Sequence, residues 1–179
     1  MIIFDFEDDR LFEVADAYGA TPKQVKLAGI RAAKLTAGTQ RRISSKGLKT
    51  ELGLRNVTVL RRRIKEYRTD SRWSGYKVWF GANDLPASAF KGRAKKVPGG
   101  IMLGDVMIYG AFFVRFNGKR KIAVRHGSGR WSIGEATIPV NDRMMSWLEH
   151  NVFVDVNSIF MKHFVSEIRA RTMLDIGES

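Results

Sequence analysis

The first third of the chain carries apolar residues at spacings of three and four, a period that predicts amphipathic helices. Thr21 is a favourable N-cap and Pro22 a favourable first helical residue, so we predict a long helix over residues 22–43. A shorter helix over residues 44–52 is predicted to end at Gly53, which suits the left-handed conformation that closes many helices. Small residues along the first helix would let another backbone approach it closely.

A third helix is predicted to begin after Asn56, a favourable N-cap. Val57, Leu60 and Ile64 would form its buried stripe, again at spacings of three and four. Because successive helical residues are rotated by about 100°, the consecutive arginines at 61–63 would spread around the exposed surface of this helix. They would not point in one direction.

The period changes to two after residue 73, which indicates strands. Residues 76–80 alternate apolar and polar positions, as a half-buried strand does. Residues 81–100 are rich in Gly, Ala, Pro and Lys, so we predict a mobile basic loop there. The pair at 117–118, Asn-Gly between two apolar runs, predicts a β-hairpin, and further short strands are expected within 131–140.

Helical spacing returns near the end of the chain. Asn141 or Asp142 is expected to cap a helical turn, and a long amphipathic helix is predicted over residues 154–173. The predicted fold is therefore α+β: N-terminal helices, a central antiparallel sheet with an Asn-Gly hairpin, and a long C-terminal helix. We divide the chain into an acidic N-terminal arm, residues 1–19, and one α+β domain, residues 20–179.

Charge is distributed very unevenly along the 179 residues, whose net charge is +13. Between Lys23 and Arg130 there are 26 basic and 5 acidic side chains, an excess of 21 positive charges, whereas the flanking segments are acidic. An excess of this size indicates a polyanion or an acidic protein surface as a partner. No apolar run reaches the roughly 20 residues of a membrane span, so we expect a soluble protein.

The residues give no signature of catalysis. Cysteine is absent, which excludes disulfides, thiolate metal sites and a cysteine nucleophile. His126, His150 and His163 lack a second ligand at metal-binding spacing, and the GSGR string at 127–130 does not open a helix as a phosphate-binding loop does. We expect a protein that is not an enzyme and that has no catalytic residue, cofactor or metal.

One interpretation of the basic middle is a helix-turn-helix that binds DNA. The segment from Leu48 to Ile64 would supply an apolar helix, a turn with glycine and a basic helix. The N-terminal end of that second helix, which would contact the bases, offers Asn56, Thr58 and Val59, and the arginines would meet phosphates a turn later. Such an arrangement favours sequence-independent affinity over base readout.

A second interpretation comes from an ordered series of strings. They are KQVKLAGIRAAKLTAGTQRRIS, LGLRNVTVLRRRIK, GAFFVRFNGKRKIAVRHGSGRWSI and ATIPVNDRMMSWLE, followed by the C-terminal helix. In this order, over residues 20–170, the chain resembles the minor tail protein Z family of tailed bacteriophages, the tail-completion or head–tail joining proteins. It departs from the family pattern at Ser132, where a proline is usual, and in the acidic arm.

The resemblance implies a structural virion protein, assembled in the host cytoplasm and located at the head-proximal end of the tail. It implies a hexameric ring that completes the tail and helps to join it to the filled head. Its neighbours would be the tail terminator, the tail tube and the head connector, with sequence-independent contact to genome DNA.

Two sets of charged residues are the candidate contacts in this interpretation. The first set would face DNA or an acidic partner and consists of two alternative clusters: Arg61, Arg62, Arg63, Lys65 and Arg68, or the loop residues Lys91, Arg93, Lys95 and Lys96. The second set, in the acidic arm, would dock on the basic surface of a neighbouring subunit and consists of Asp5, Glu7, Asp8 and Asp9.

Overall fold

The computed structural model describes residues 2–3, 9–69, 76–129, 132–174 and 176 as an α+β fold, as predicted. In chain order the elements are β1 (Ile2–Ile3), α1 (Asp9–Ala17), α2 (Pro22–Glu51), α3 (Thr58–Arg61), β2 (Ile64–Arg68), β3 (Tyr76–Phe80), β4 (Leu85–Pro86), a 3₁₀ turn (Ala87–Ala89), β5 (Ala94–Val97), β6 (Gly100–Leu103), β7 (Val106–Tyr109), β8 (Phe112–Phe116), β9 (Lys119–Arg125), β10 (Ile133–Glu135), β11 (Thr137–Ile138), α4 (Asn141–Leu148), a π-helical segment (Glu149–Phe153) and α5 (Val156–Met173). Among these described helices, none combines the length and the apolar character needed to cross a membrane.

Helix α2 is the longest element and begins where it was predicted to begin. The Thr21 hydroxyl accepts a hydrogen bond from the Gln24 amide, and the Gln24 side chain accepts one from the Thr21 amide, which completes a capping box. The predicted break after residue 43 is wrong, because α2 continues to Glu51. No Gly or Pro interrupts the junction, and Leu48 continues the buried face of the helix. Gly53 follows the helix with φ +65°, as predicted.

The third predicted helix is mostly replaced by a strand. Helix α3 is a single turn of four residues, and the chain enters β2 at Ile64, opposite Phe80 of β3. Leu60 and Ile64 are both buried, so the predicted apolar stripe does reach the core, but as a turn followed by a strand. The β-branched Ile64 gains a neighbouring strand there, which a short exposed helix could not offer.

All the described strands pair antiparallel, in four small sheets ordered β1-β3-β2, β5-β6-β7, β10-β9-β8 and β11-β4. The predicted Asn-Gly hairpin is confirmed, since Asn117 and Gly118 join β8 to β9 with φ of 49° and 74°. The predicted mobile loop at 81–100 is wrong: that segment forms β4, the 3₁₀ turn, β5 and the start of β6. Gly92 and Gly99, both with positive φ, lie in the turns before β5 and β6.

Two hydrophobic clusters form the core, and α2 contributes to both. Its first half joins the smaller cluster through Ala28, Ala32 and Ala33, against Phe160, Phe164 and Ile168 of α5 and Leu11 of α1. Its second half joins the larger cluster, with the sheets and α4. The close approach predicted for the small residues of α2 is thus made by α5.

The side-chain cap predicted at Asn141 or Asp142 is wrong, because α4 begins at Asn141 after Val140, which makes no side-chain cap bond.

Candidate functional site

A strongly basic concave surface, an open groove of about 610 Å³, lies between α2 and the α3–β2 segment. We call it the basic groove. Its walls combine five cations with one carboxylate: Arg41, Arg42, Lys46, Lys49 and Arg61, with Glu66. The other lining residues are small and uncharged: Gly38, Ser45 and Val57. An open surface of this composition suits a charged polymer better than a small molecule, which is held in an enclosed pocket.

The continuity of α2 places four of these cations on one side of the helix. At about 100° per residue, Arg41, Arg42, Lys46 and Lys49 fall within an arc of about 140°. Ending the helix at residue 43 separated the first two from the last two, so sequence reasoning did not find them. The sequence does permit a continuous helix here, because Gly47 is the single helix-weakening residue between Arg41 and Lys49.

The charges in the basic groove are largely uncompensated within the chain. Arg41 lies 3.4 Å from the Glu66 carboxylate, with both side chains more than a third exposed, so this pair is weak in water. Arg42, Lys46, Lys49 and Arg61 make no ion pair with any described residue. Five cations and one carboxylate leave an excess of four positive charges. Such a surface attracts phosphate groups or clustered carboxylates.

The predicted contacts from Arg61 to Arg68 are divided among different surfaces. Arg61 lines the basic groove, and Arg62 is exposed just after α3. Arg63 is half-buried and donates hydrogen bonds to the carbonyls of residues 83 and 84, so its guanidinium fastens the loop before β4. Lys65 and Arg68 are both exposed, but they stand on opposite faces of β2 because side chains alternate along a strand.

Of the predicted loop contacts, Arg93 alone lines a second, smaller concavity of about 320 Å³. Lys95 and Lys96 are exposed on opposite faces of the edge strand β5. Lys91 is also exposed, and its amide donates to the carbonyl of Gly53. The structure therefore does not bring these four residues together on one surface.

Several other cations of this second concavity are held by the protein itself. The Arg55 guanidinium donates to the carbonyl of Phe90 at 2.7 Å, and the Arg120 guanidinium lies 3.5 Å from the centre of the Phe113 ring. Lys121 pairs with Glu135 at 3.2 Å. With these internal partners, the second concavity offers less free charge to a ligand than the basic groove does.

Glu135 is the one described residue with a clear pKa shift. Partial burial by itself raises its pKa, but hydrogen bonds from Ser88 and Lys121 outweigh this effect and hold the pKa below its usual range. The Ser88 amide and the Lys121 ammonium each donate to the carboxylate at 3.2 Å. This shift belongs to a structural link between the 3₁₀ turn, β9 and β10, because Glu135 favours its charged form and is not poised to exchange protons near neutral pH.

Of the acidic contacts predicted in the arm, Asp5, Glu7 and Asp8 lie outside the described residues, and Asp9 is the first residue of α1. One face of α1 contributes to the core of its own chain, since Leu11 and Ala15 are buried. Within the segment predicted as an arm, α1 packs on α2.

Two of the three histidines make ordinary structural contacts. His163 Nε2 lies 3.4 Å from the Thr39 hydroxyl, and His150 Nδ1 lies 2.7 Å from the carbonyl of Ser146. Within the described part of the chain, no three His, Asp or Glu side chains come together as a metal site requires.

Comparisons of this chain with protein-family models, with curated proteins and with solved structures found no match.

Proposed function

We propose that this chain is a structural virion protein of a tailed bacteriophage. In this proposal it forms an oligomeric ring at the head-proximal end of the tail, completes the tail and helps to join it to the DNA-filled head. The proposal is supported by the resemblance over residues 20–170 and by the α+β order of helices, sheets and a long C-terminal helix. The tail tube, the tail terminator and the head connector are the proposed protein neighbours.

The observation that carries the proposal is the uncompensated charge of the basic groove. Subunits that each carry a net charge of +13 would repel one another in a ring unless a polyanion or acidic partners screened them. The groove offers Arg42, Lys46, Lys49 and Arg61 for that purpose. In this proposal the groove contacts the phosphate backbone of genome DNA without reading its sequence.

The described geometry offers less support to the helix-turn-helix alternative than to this proposal. A recognition helix must be long enough to lie in the major groove, whereas α3 has four residues and is followed by a strand. The groove cations come mainly from the side of α2, so they would meet phosphates and leave base edges uncontacted. No described feature favours sequence-specific readout.

Negative-stain microscopy of the purified protein, alone and mixed with phage tail tubes, tests the assembly. We expect rings, or tubes capped at one end. A protein that remains monomeric at high concentration and leaves tubes uncapped would overturn the proposal.

The groove is tested separately with duplex DNA and a double variant, Arg42→Ala with Lys46→Ala. Each phosphate contact contributes about 0.9 to the slope of log K against log salt, so this variant should lower the slope by about 2. The matched control is Lys162→Ala with Arg169→Ala, which removes two exposed cations from α5 and should leave the slope unchanged. Equal slopes for the two double variants would exclude the groove as the DNA contact.

A further inference from the structure

A second surface, distinct from the basic groove, alternates lysines with aromatic rings on the sheet formed by β2 and β3. In the strand register Lys65 stands opposite Trp79, and Tyr67 stands opposite Lys77. All four residues project from the same face of the sheet, because positions two apart in a strand share a face. We call this surface the aromatic–lysine face.

This face points away from the helices. Its opposite side carries Ile64 and Val78, both fully buried in the larger core cluster, and Glu66, which lines the basic groove. On the aromatic–lysine face, by contrast, Tyr67 is 48% and Trp79 is 42% exposed. The two surfaces are therefore separated by the thickness of the sheet.

The two rings are spaced and supported as a stacking platform. Tyr67 and Trp79 are diagonal neighbours across the strand pair, a relation that corresponds to about 7–8 Å between their backbones. The Trp79 indole lies over Gly81, where a Cβ would stand only 2.5 Å from its Cη2 atom. The glycine leaves room for the ring to rest on the backbone, while the ring keeps much of its area exposed to solvent.

We propose that the aromatic–lysine face binds single-stranded nucleic acid. Successive unpaired bases would stack on Trp79 and Tyr67, and the phosphates between them would lie beside Lys65 and Lys77. An acidic polypeptide such as polyglutamate would use the lysines but has no planar base to stack on the exposed rings. A duplex keeps its bases stacked inside, so it cannot use the rings either. The alternation of charge and aromatic area thus favours a single strand.

The test uses a fluorescein-labelled oligothymidylate of about 15 nucleotides, within the site sizes of known single-strand binders, and a mixed-sequence duplex of the same length. Removing one stacking ring by Trp79→Ala or Tyr67→Ala should weaken binding of the single strand about 5- to 150-fold. Duplex affinity should change less than about twofold, because base stacking on the rings plays no part in it. Trp79→Phe keeps a ring and should retain most of the affinity for the single strand.

Tyr109→Ala is the matched control, since Tyr109 is 78% exposed on a different sheet and its removal should leave both affinities unchanged. The groove variant Arg42→Ala with Lys46→Ala should bind the duplex more weakly. In that background, Trp79→Ala should still weaken binding of the single strand and leave duplex binding unaffected. The inference does not rest on the phage assignment, so the two can fail separately. It is overturned if Trp79→Ala, shown to be folded by circular dichroism, binds oligothymidylate as Tyr109→Ala does. It is also overturned if polyglutamate binds with the same dependence on Trp79.

Discussion

Two glycines within α2, Gly38 and Gly47, should respond in opposite ways to the same substitution. Glycine in a helix interior is less favourable than alanine by about 0.8–1.0 kcal/mol. At Gly38 a new Cβ would have its nearest contact, Glu66 Oε2, at 4.0 Å. Nothing opposes the gain there, so Gly38→Ala should stabilise the protein by about 0.5–1 kcal/mol.

At Gly47 the same Cβ would stand 2.1 Å from Cη2 and 2.2 Å from Cζ2 of Trp147. Carbon atoms in contact prefer about 3.5–4.0 Å, so the indole would have to move by more than about 1 Å. Overpacking of this kind costs about 1–3 kcal/mol, which exceeds the gain in helix propensity. We therefore expect Gly47→Ala to destabilise the protein by about 1 kcal/mol.

A double-mutant cycle isolates the cause. In a Trp147→Ala background the steric conflict is gone, so Gly47→Ala should stabilise by about 0.5–1 kcal/mol, like Gly38→Ala. Urea unfolding followed by far-ultraviolet circular dichroism measures all the variants, with unchanged m-values as the check on two-state comparison. If Gly47→Ala stabilises the wild-type background as much as Gly38→Ala does, the reasoning from the Trp147 contact is refuted.

Three further predictions concern other contacts. Arg63→Ala should destabilise the protein by about 1–3 kcal/mol through the lost hydrogen bonds to the carbonyls of residues 83–84. It should leave the salt dependence of DNA binding unchanged, and a changed slope would show that Arg63 contacts DNA. Because the folded pKa of Glu135 is lowered, its stabilisation is complete above the unfolded value of 4.5 and is lost as pH falls through the folded pKa. The free energy of unfolding of the wild type should thus exceed that of Glu135→Gln by up to about 1 kcal/mol at pH 7, and this difference should disappear below pH 4.5. Acid titrations of unfolding measure it, and a difference that stays constant with pH would contradict the role of the Ser88 and Lys121 contacts. Gly100→Ala would put a Cβ 2.1 Å from the backbone oxygen of Ile108 and should lower the free energy of unfolding in urea by about 3 kcal/mol. A decrease below about 0.5 kcal/mol would contradict this close approach.

The parts of the fold that were predictable depend on local chemistry. The Thr21-Pro22 start of α2, the left-handed Gly53 and the Asn117-Gly118 turn each follow from the conformational preferences of the residues themselves. The α5 stripe was equally clear, because its apolar spacing persists over several turns. Such features need no knowledge of what lies elsewhere in the chain.

The parts that were not predictable depend on distant partners. The spacing of Ile64 from Leu60 fits a helix. Ile64 nevertheless lies in a strand, because it pairs with Phe80 of β3. The basic groove was missed for a related reason. Its members on α2 align only when the helix is known to continue past residue 43, and the opposing wall comes from Arg61 and Glu66. Tertiary contacts decided both questions.

The length of α2 has a consequence for cooperativity. A helix of 30 residues extends about 45 Å, and this one contributes side chains to both hydrophobic clusters. Opening either cluster would strip one half of the helix of its packing, so we expect the two clusters to unfold together and the amides of α2 to exchange with solvent at nearly the global rate. The backbone beneath Arg42, Lys46 and Lys49 would then be among the slowest to exchange. A ligand of the basic groove would meet cations already held in place, and its binding would order only their flexible side chains.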